Sequence, residues 1–203
     1  MGKIVFQAGS FGAIKGVGAA GWCSKKLLEP ETDRFHFFMI FLYVEEYNDY
    51  IIIESYNVGL FAKGITFGWL SKYKGNDVEI YSIADPEIAS YGEYACYNLI
   101  EFGAAPYDFD LWGMLVLSGL CAFSKNVISE RRVRRLRPDE LYFCRDRKFM
   151  CTEVPQEGWL SLGYWIIPEG VSATPAGYKQ AEVEGRIQCV YRGNLVDILG
   201  SAI

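Results

Sequence analysis

The chain has 203 residues, 51% of them hydrophobic and 22% charged, which fits one large or two small folded domains and excludes a disordered polymer. Its net charge of −5 gives no general attraction for nucleic acid, and 16% aromatic residues point to a core or cleft rich in Phe, Tyr and Trp. The cysteines, at 23, 96, 121, 144, 151 and 189, are spread out with no C-x-x-C pair, so they read as mostly reduced thiols rather than a disulfide frame or a zinc site.

The opening stretch MGKIVFQAGSFGAIKG interrupts its apolar residues with Gln7, Ser10 and Lys15, so no signal-peptide core forms. Phe6 stands where N-myristoylation requires Ser or Thr. Residues 9–28 are glycine-rich and end like a short helix, with Lys25 and Lys26 near its C-terminal end. Phe35–Val44 and Tyr50–Tyr56 are continuous β-branched and aromatic runs separated by EEYND, the pattern of a hairpin. Gly59, Gly64 and Gly68 punctuate the next segment, and Asp77–Ile83 (DVEIYSI) alternates as a strand.

Asp85-Pro86-Glu87 starts a helix expected to run to about Phe102, with Pro in its first turn. A second helix is expected over Asp110–Phe123. The uncharged run Leu111–Ser124 has 14 residues, too few to cross a bilayer as a helix. A helix beginning near Cys151 and a late strand at Glu184–Tyr191 complete the chain. One soluble α+β domain over residues 1–203 is the expectation. The cytoplasm is its default compartment, and carriage outside by a particle or by lysis stays open.

The single histidine, His36, sits in the strand DRFHFFMIFLYV. It is either a hydrogen-bonded core residue or half of a catalytic pair. Cys151 is the candidate partner: Glu153 and Pro155 place it at the start of a helix, where unpaired N–H groups and the dipole lower a thiol's pKa. The same N–H groups suit an oxyanion. Glu54, an acid inside the apolar run YIIIESYN, is the candidate to orient the imidazole. Register decides that point. A three-residue loop at Val44–Glu46 puts Glu54 opposite His36, whereas a loop centred on Tyr47 puts it opposite Ile40, roughly 13 Å out of line at about 3.4 Å per residue. A bulge in EEYND restores the match.

FHFFMIF followed by IIIESYNVGL, then YDFDLWG, then FMCTEV with Gly163, resembles the circularly permuted branch of the NlpC-type papain-like cysteine hydrolases. That branch includes the YiiX-type proteins and relatives of lecithin:retinol acyltransferase. The resemblance covers about Trp22 to Trp165 and leaves a C-terminal extension from 166 to 203 with one further strand. It implies an α+β papain-like fold, in which an antiparallel sheet packs against a helix bearing the nucleophile. It further implies Cys151 as nucleophile, His36 as general base and Glu54 as the third residue. Tyr107 would match the aromatic-acid motif near the cleft, where Thr152 takes the place of the usual Ser after the nucleophile. The usual Gly-Asp lead-in is absent, and Pro155 falls where such helices continue unbroken.

The implied reaction is thiolate attack on a carbonyl and an acyl-enzyme resolved by water or another acceptor, without metal or organic cofactor. Amide bonds of cell-wall peptides lead as substrates, with lipid acyl hydrolysis or acyl transfer the alternative. A catalytically silent binding or structural protein, virion-associated for example, remains a third class. Cys144, in the apolar run LYFC, is the competing nucleophile and reads better as a buried thiol. Arg131, Arg132, Arg134, Arg135 and Arg137 read either as a solvated connector or as a dock for an anionic surface. The absence of aromatics among them disfavours nucleic acid.

Overall fold

A computed structural model of the chain describes residues 5–15, 34–58, 61–101, 151–168 and 173–196. Six strands form one antiparallel sheet: β1 (Phe11–Lys15), β2 (Arg34–Val44), β3 (Asp49–Val58), β4 (Phe61–Trp69), β5 (Asp77–Ile83) and β6 (Ile187–Asn194). Their order across the sheet is β4-β3-β2-β1-β5-β6. β2 and β3 form the hairpin that the two apolar runs announce, closed by a 3-10 turn at Glu45–Tyr47 and by Asn48 at φ 47°.

Two strands lie where the sequence suggested none. β1 occupies the head of the glycine-rich segment 9–28, whose helix-like end lies outside the described residues, and β4 occupies the segment punctuated by Gly64 and Gly68. Both carry glycine for a packing reason. A Cβ at Gly12 would fall 2.1 Å from the Phe38 ring. The outer edge of the Phe38 ring therefore fills the space a side chain at residue 12 would take.

Alternation sorts the apolar side chains onto two faces. On the first, Phe11, Ala13, Phe37, Met39, Ile53, Tyr81 and Ile83 pack under the helices α2 (Gly92–Glu101), α3 (Glu153–Leu160) and α4 (Pro175–Val183). The second face carries Ile14, Phe38, Ile40, Tyr50, Ile52, Val78 and Ile80, joined by Phe6, Leu70 and Leu195. β6 pairs with β5 in the same sheet, and the Tyr178 ring of α4 stacks on Phe37 at 4.7 Å.

The helix expected from Asp85 is two helices. Asp85 caps α1 (Pro86–Ala89) by accepting from the N–H groups of Glu87 and Ile88, after which the chain turns and restarts as α2. The break brings Gly92 against the chain at Gly9, where a Cβ would lie 1.9 Å from the Ala8 carbonyl oxygen. Trp159 of α3 locks the same corner by donating from Nε1 to the Gly9 carbonyl at 3.1 Å. Among the described residues no helix is long and apolar enough to cross a membrane.

Candidate functional site

The β2–β3 register falls between the two alternatives: Phe38, not His36 or Ile40, stands opposite Glu54. The ladder slips by one residue between Ile40 and Leu42, so the extra residue is Phe41 in β2 rather than one in the EEYND loop. The slip settles the side on which Glu54 lies. Continuing the pairing of Tyr43 with Tyr50 without it would set Met39 opposite Glu54, leaving His36 on the other face. With it, Glu54 shares a face with Phe38 and His36, one diagonal step apart.

The diagonal is closed by a hydrogen bond. His36 Nε2 lies 2.8 Å from Glu54 Oε2, with the carboxylate side chain wholly buried and the imidazole 24% exposed. Two further donors reach the same carboxylate from the 3-10 turn Leu70–Tyr73. Tyr73 donates its hydroxyl to Oε2 at 2.5 Å, and Lys72 contacts Oε1 through Nζ. The Tyr73 ring stacks on Phe38, 5.8 Å between centroids, and tilts against His36 at 5.6 Å. Gly68 makes room for this approach: a Cβ there would sit 3.0 Å from Glu54 Oε1 and 3.1 Å from Lys72 Nζ. Burial pushes the Lys72 ammonium down to about 8.

Cys151 is elsewhere. It lies in the turn before α3, 7% exposed, and Thr152 follows as the helix N-cap residue. That helix packs on the first face, where a Cβ at Gly158 would touch the Met39 sulfur at 3.1 Å. The Thr152 carbonyl accepts from the Tyr178 hydroxyl at 2.6 Å, and Tyr178 in turn stacks on Phe37. His36 and Cys151 thus belong to opposite faces of β2, and the expected imidazole–thiol pair is not made. The reason is parity: residues 37 and 39 point to the helix, so residue 36 points away.

The other described thiols also belong to the helix side. Cys96 is buried in α2 and donates from Sγ to the Ile40 carbonyl at 3.3 Å; burial pushes its thiol up to about 12. Cys189, on β6, packs against the first-face cluster. Cys96 and Cys189 are free thiols. Tyr107, Cys23, Cys121, Cys144 and the arginines 131, 132, 134, 135 and 137 lie outside the described residues.

A second polar cluster sits on the helix face. Glu79 takes Arg34 at 2.9 Å and Arg192 at 2.7 Å on Oε1, and the Tyr81 hydroxyl at 2.7 Å on Oε2. It borders a cavity of about 230 Å³ floored by Phe37, Tyr81 and Tyr178. A second carboxylate, Glu182, lies 3.8 Å from Arg192, so two guanidiniums meet two carboxylates there. Among the described residues no three His, Cys, Asp or Glu side chains come together as a metal-ligand set.

Sequence reasoning missed Lys72 and Tyr73, which sit in SKYKG after an unrecognised strand. The only signal for them was the buried acid itself, which needs cationic or hydroxyl donors from somewhere. No family model matches the chain, and no curated protein matches it in sequence.

Proposed function

We propose that this chain hydrolyses amide or ester bonds, with His36 as general base and Glu54 as the carboxylate that orients it. One observation supports the reading above others: the only imidazole in the chain is held through Nε2, at 2.8 Å, by a carboxylate with no exposure of its own. An ionised carboxylate only accepts, so Nε2 is the donor and Nδ1 carries the lone pair. The ring stays partly open, as a base that must reach a substrate or a nucleophile requires.

In the thiol form of the mechanism, His36 takes a proton from a cysteine. The thiolate adds to the carbonyl, the protonated His36 returns the proton to the leaving group, and water releases the acyl group. Cys151, Cys96 and Cys189 all belong to the helix side of the sheet. The thiol form therefore calls on Cys23, Cys121 or Cys144. By resemblance to the permuted papain-like hydrolases, cell-wall peptide amides are the first substrates to assay and acyl lipids the second.

The same placement of the described thiols favours a second reading, a binding or structural protein whose His36–Glu54 pair only satisfies a buried charge. One experiment separates the two. The rate of alkylation of each cysteine is mapped by mass spectrometry against pH, in wild type and in His36→Ala. The hydrolase reading expects one thiol to react well below its unperturbed pKa of about 8.5 and to lose that reactivity in the variant. Six thiols indifferent to His36 would leave the binding protein.

A further inference from the structure

We infer that Lys72 and Tyr73 form a latch that fixes Glu54, and through it the tautomer and orientation of His36. They are positioning residues: neither need touch a substrate. The inference rests on the reading of His36 as a base and extends it to residues that no motif marks.

The geometry makes the case. A lone buried carboxylate is free to rotate about its last two bonds, and a neutral carboxyl could offer His36 either a donor or an acceptor. Here both oxygens are engaged from outside the hairpin. Lys72 Nζ contacts Oε1, and the Tyr73 hydroxyl reaches Oε2 at 2.5 Å, the oxygen that His36 Nε2 meets at 2.8 Å. An ammonium and a hydroxyl on one carboxylate favour its ionised form and leave His36 facing an acceptor. The ring must then present Nε2–H, and Nδ1 becomes the working nitrogen.

The latch has a rigid seat. Both residues belong to the 3-10 turn Leu70–Tyr73, which is anchored by buried Leu70 in the second-face cluster. Asp49, at the start of β3, accepts the Ser71 N–H at 3.1 Å and so ties that turn to the strand carrying Glu54. The Tyr73 ring stacks on Phe38 and tilts against His36. Gly68 keeps the passage above β4 open, its missing Cβ leaving Lys72 its route to Oε1.

The single histidine makes the test direct. Two-bond proton–nitrogen correlation of the imidazole reads which nitrogen holds the proton, at a pH where the ring is neutral. It would be recorded for wild type, Lys72→Met, Lys72→Arg and Tyr73→Phe, with circular dichroism confirming that each is folded. The expectation is an Nε2–H ring in wild type. In Lys72→Met and Tyr73→Phe the Nδ1–H share should rise about tenfold, the scale of one lost charge-assisted hydrogen bond, and Lys72→Arg should restore the wild-type ratio. A purely structural role would lower stability and leave the ratio alone. Unmoved ratios in both variants overturn the latch, even if His36→Ala slows one thiol and the hydrolase reading stands. Shifted ratios with six thiols indifferent to His36→Ala keep the latch and remove the hydrolase.

Discussion

Replacing Glu54 by Gln changes one atom in a side chain that has no solvent exposure, and the network predicts a large response. The carboxylate accepts from three donors: His36 Nε2, the Tyr73 hydroxyl and Lys72 Nζ. Gln brings one acceptor oxygen and two donor hydrogens to the same place. Tyr73 can rotate its hydroxyl and His36 can change tautomer, each becoming an acceptor, but Lys72 can only donate. A charge-assisted hydrogen bond contributes about 1.5–3 kcal/mol, and breaking a buried ion pair on one side costs about 3–5 kcal/mol. The Lys72 side chain is 34% exposed and can swing toward water, which removes part of the second figure. The variant should therefore lose about 2–4 kcal/mol, or about 5–15 °C in Tm for a chain of this size.

Urea unfolding followed by near- and far-ultraviolet dichroism gives the measurement, with an unchanged m-value showing that the unfolded state is the same. Glu54→Gln combined with Lys72→Met should recover part of the loss, because no ammonium is then left facing an amide. A Glu54→Gln variant within about 0.5 kcal/mol of wild type, the range of an ordinary surface change, would refute the network as drawn.

Tyr178→Phe removes the hydroxyl that reaches the buried Thr152 carbonyl at 2.6 Å, and should cost about 1–2 kcal/mol in the same urea assay while leaving the His36 imidazole signals unmoved. Gly92→Ala drives a Cβ to 1.9 Å from the Ala8 carbonyl oxygen, a backbone clash that only a shift of the Gly9 corner relieves; its unfolding free energy should fall by more than about 2 kcal/mol, whereas that of Gly75→Ala, with open space at its Cβ but φ at 89°, should fall by less. For Glu79, burial pushes the carboxyl up, but hydrogen bonds from Arg34 and Tyr81 and the charges of Arg34 and Arg192 outweigh it and hold it below its ordinary value. A folded value below the unfolded one, about 4.3, gives stability that is whole above the unfolded value and is lost as pH falls through the folded one. The gap between urea midpoints at pH 6 and pH 3 should therefore narrow in Glu79→Gln, and an unchanged gap would place the acid sensitivity elsewhere.

Much of the sheet was legible because its inner strands carry the composition that strands favour. β2 and β3 are unbroken β-branched and aromatic runs, and β5 alternates along DVEIYSI. Asp85 was legible as a helix start because an N-cap acid followed by Pro has a local mechanism. β1 and β4 were hidden by Gly12 and Gly68, which read as punctuation. Each of these glycines answers to a partner distant in sequence, the Phe38 ring in one case and the Glu54–Lys72 contact in the other. The division of the expected long helix into α1 and α2 likewise follows from where Gly9 passes, a tertiary fact that residues 85–102 do not contain.

The site shows the limit more sharply, because it turns on parity and parity is not local. That Glu54 needed a partner followed from its apolar strand, and that His36 was near followed from the hairpin. Whether they shared a face depended on a single extra residue at Phe41, and nothing in RFHFFMIFLYV marks residue 41 as the one that drops out of the ladder. The same alternation that brings Glu54 to His36 takes His36 away from Cys151, since Phe37 and Met39 are committed to the helix face. A short motif read in order along the chain cannot register this, because a one-residue slip preserves every motif while exchanging the faces. The His36–Glu54 hydrogen bond and the helix-start thiol are therefore two separate features of this fold, set on opposite faces of β2.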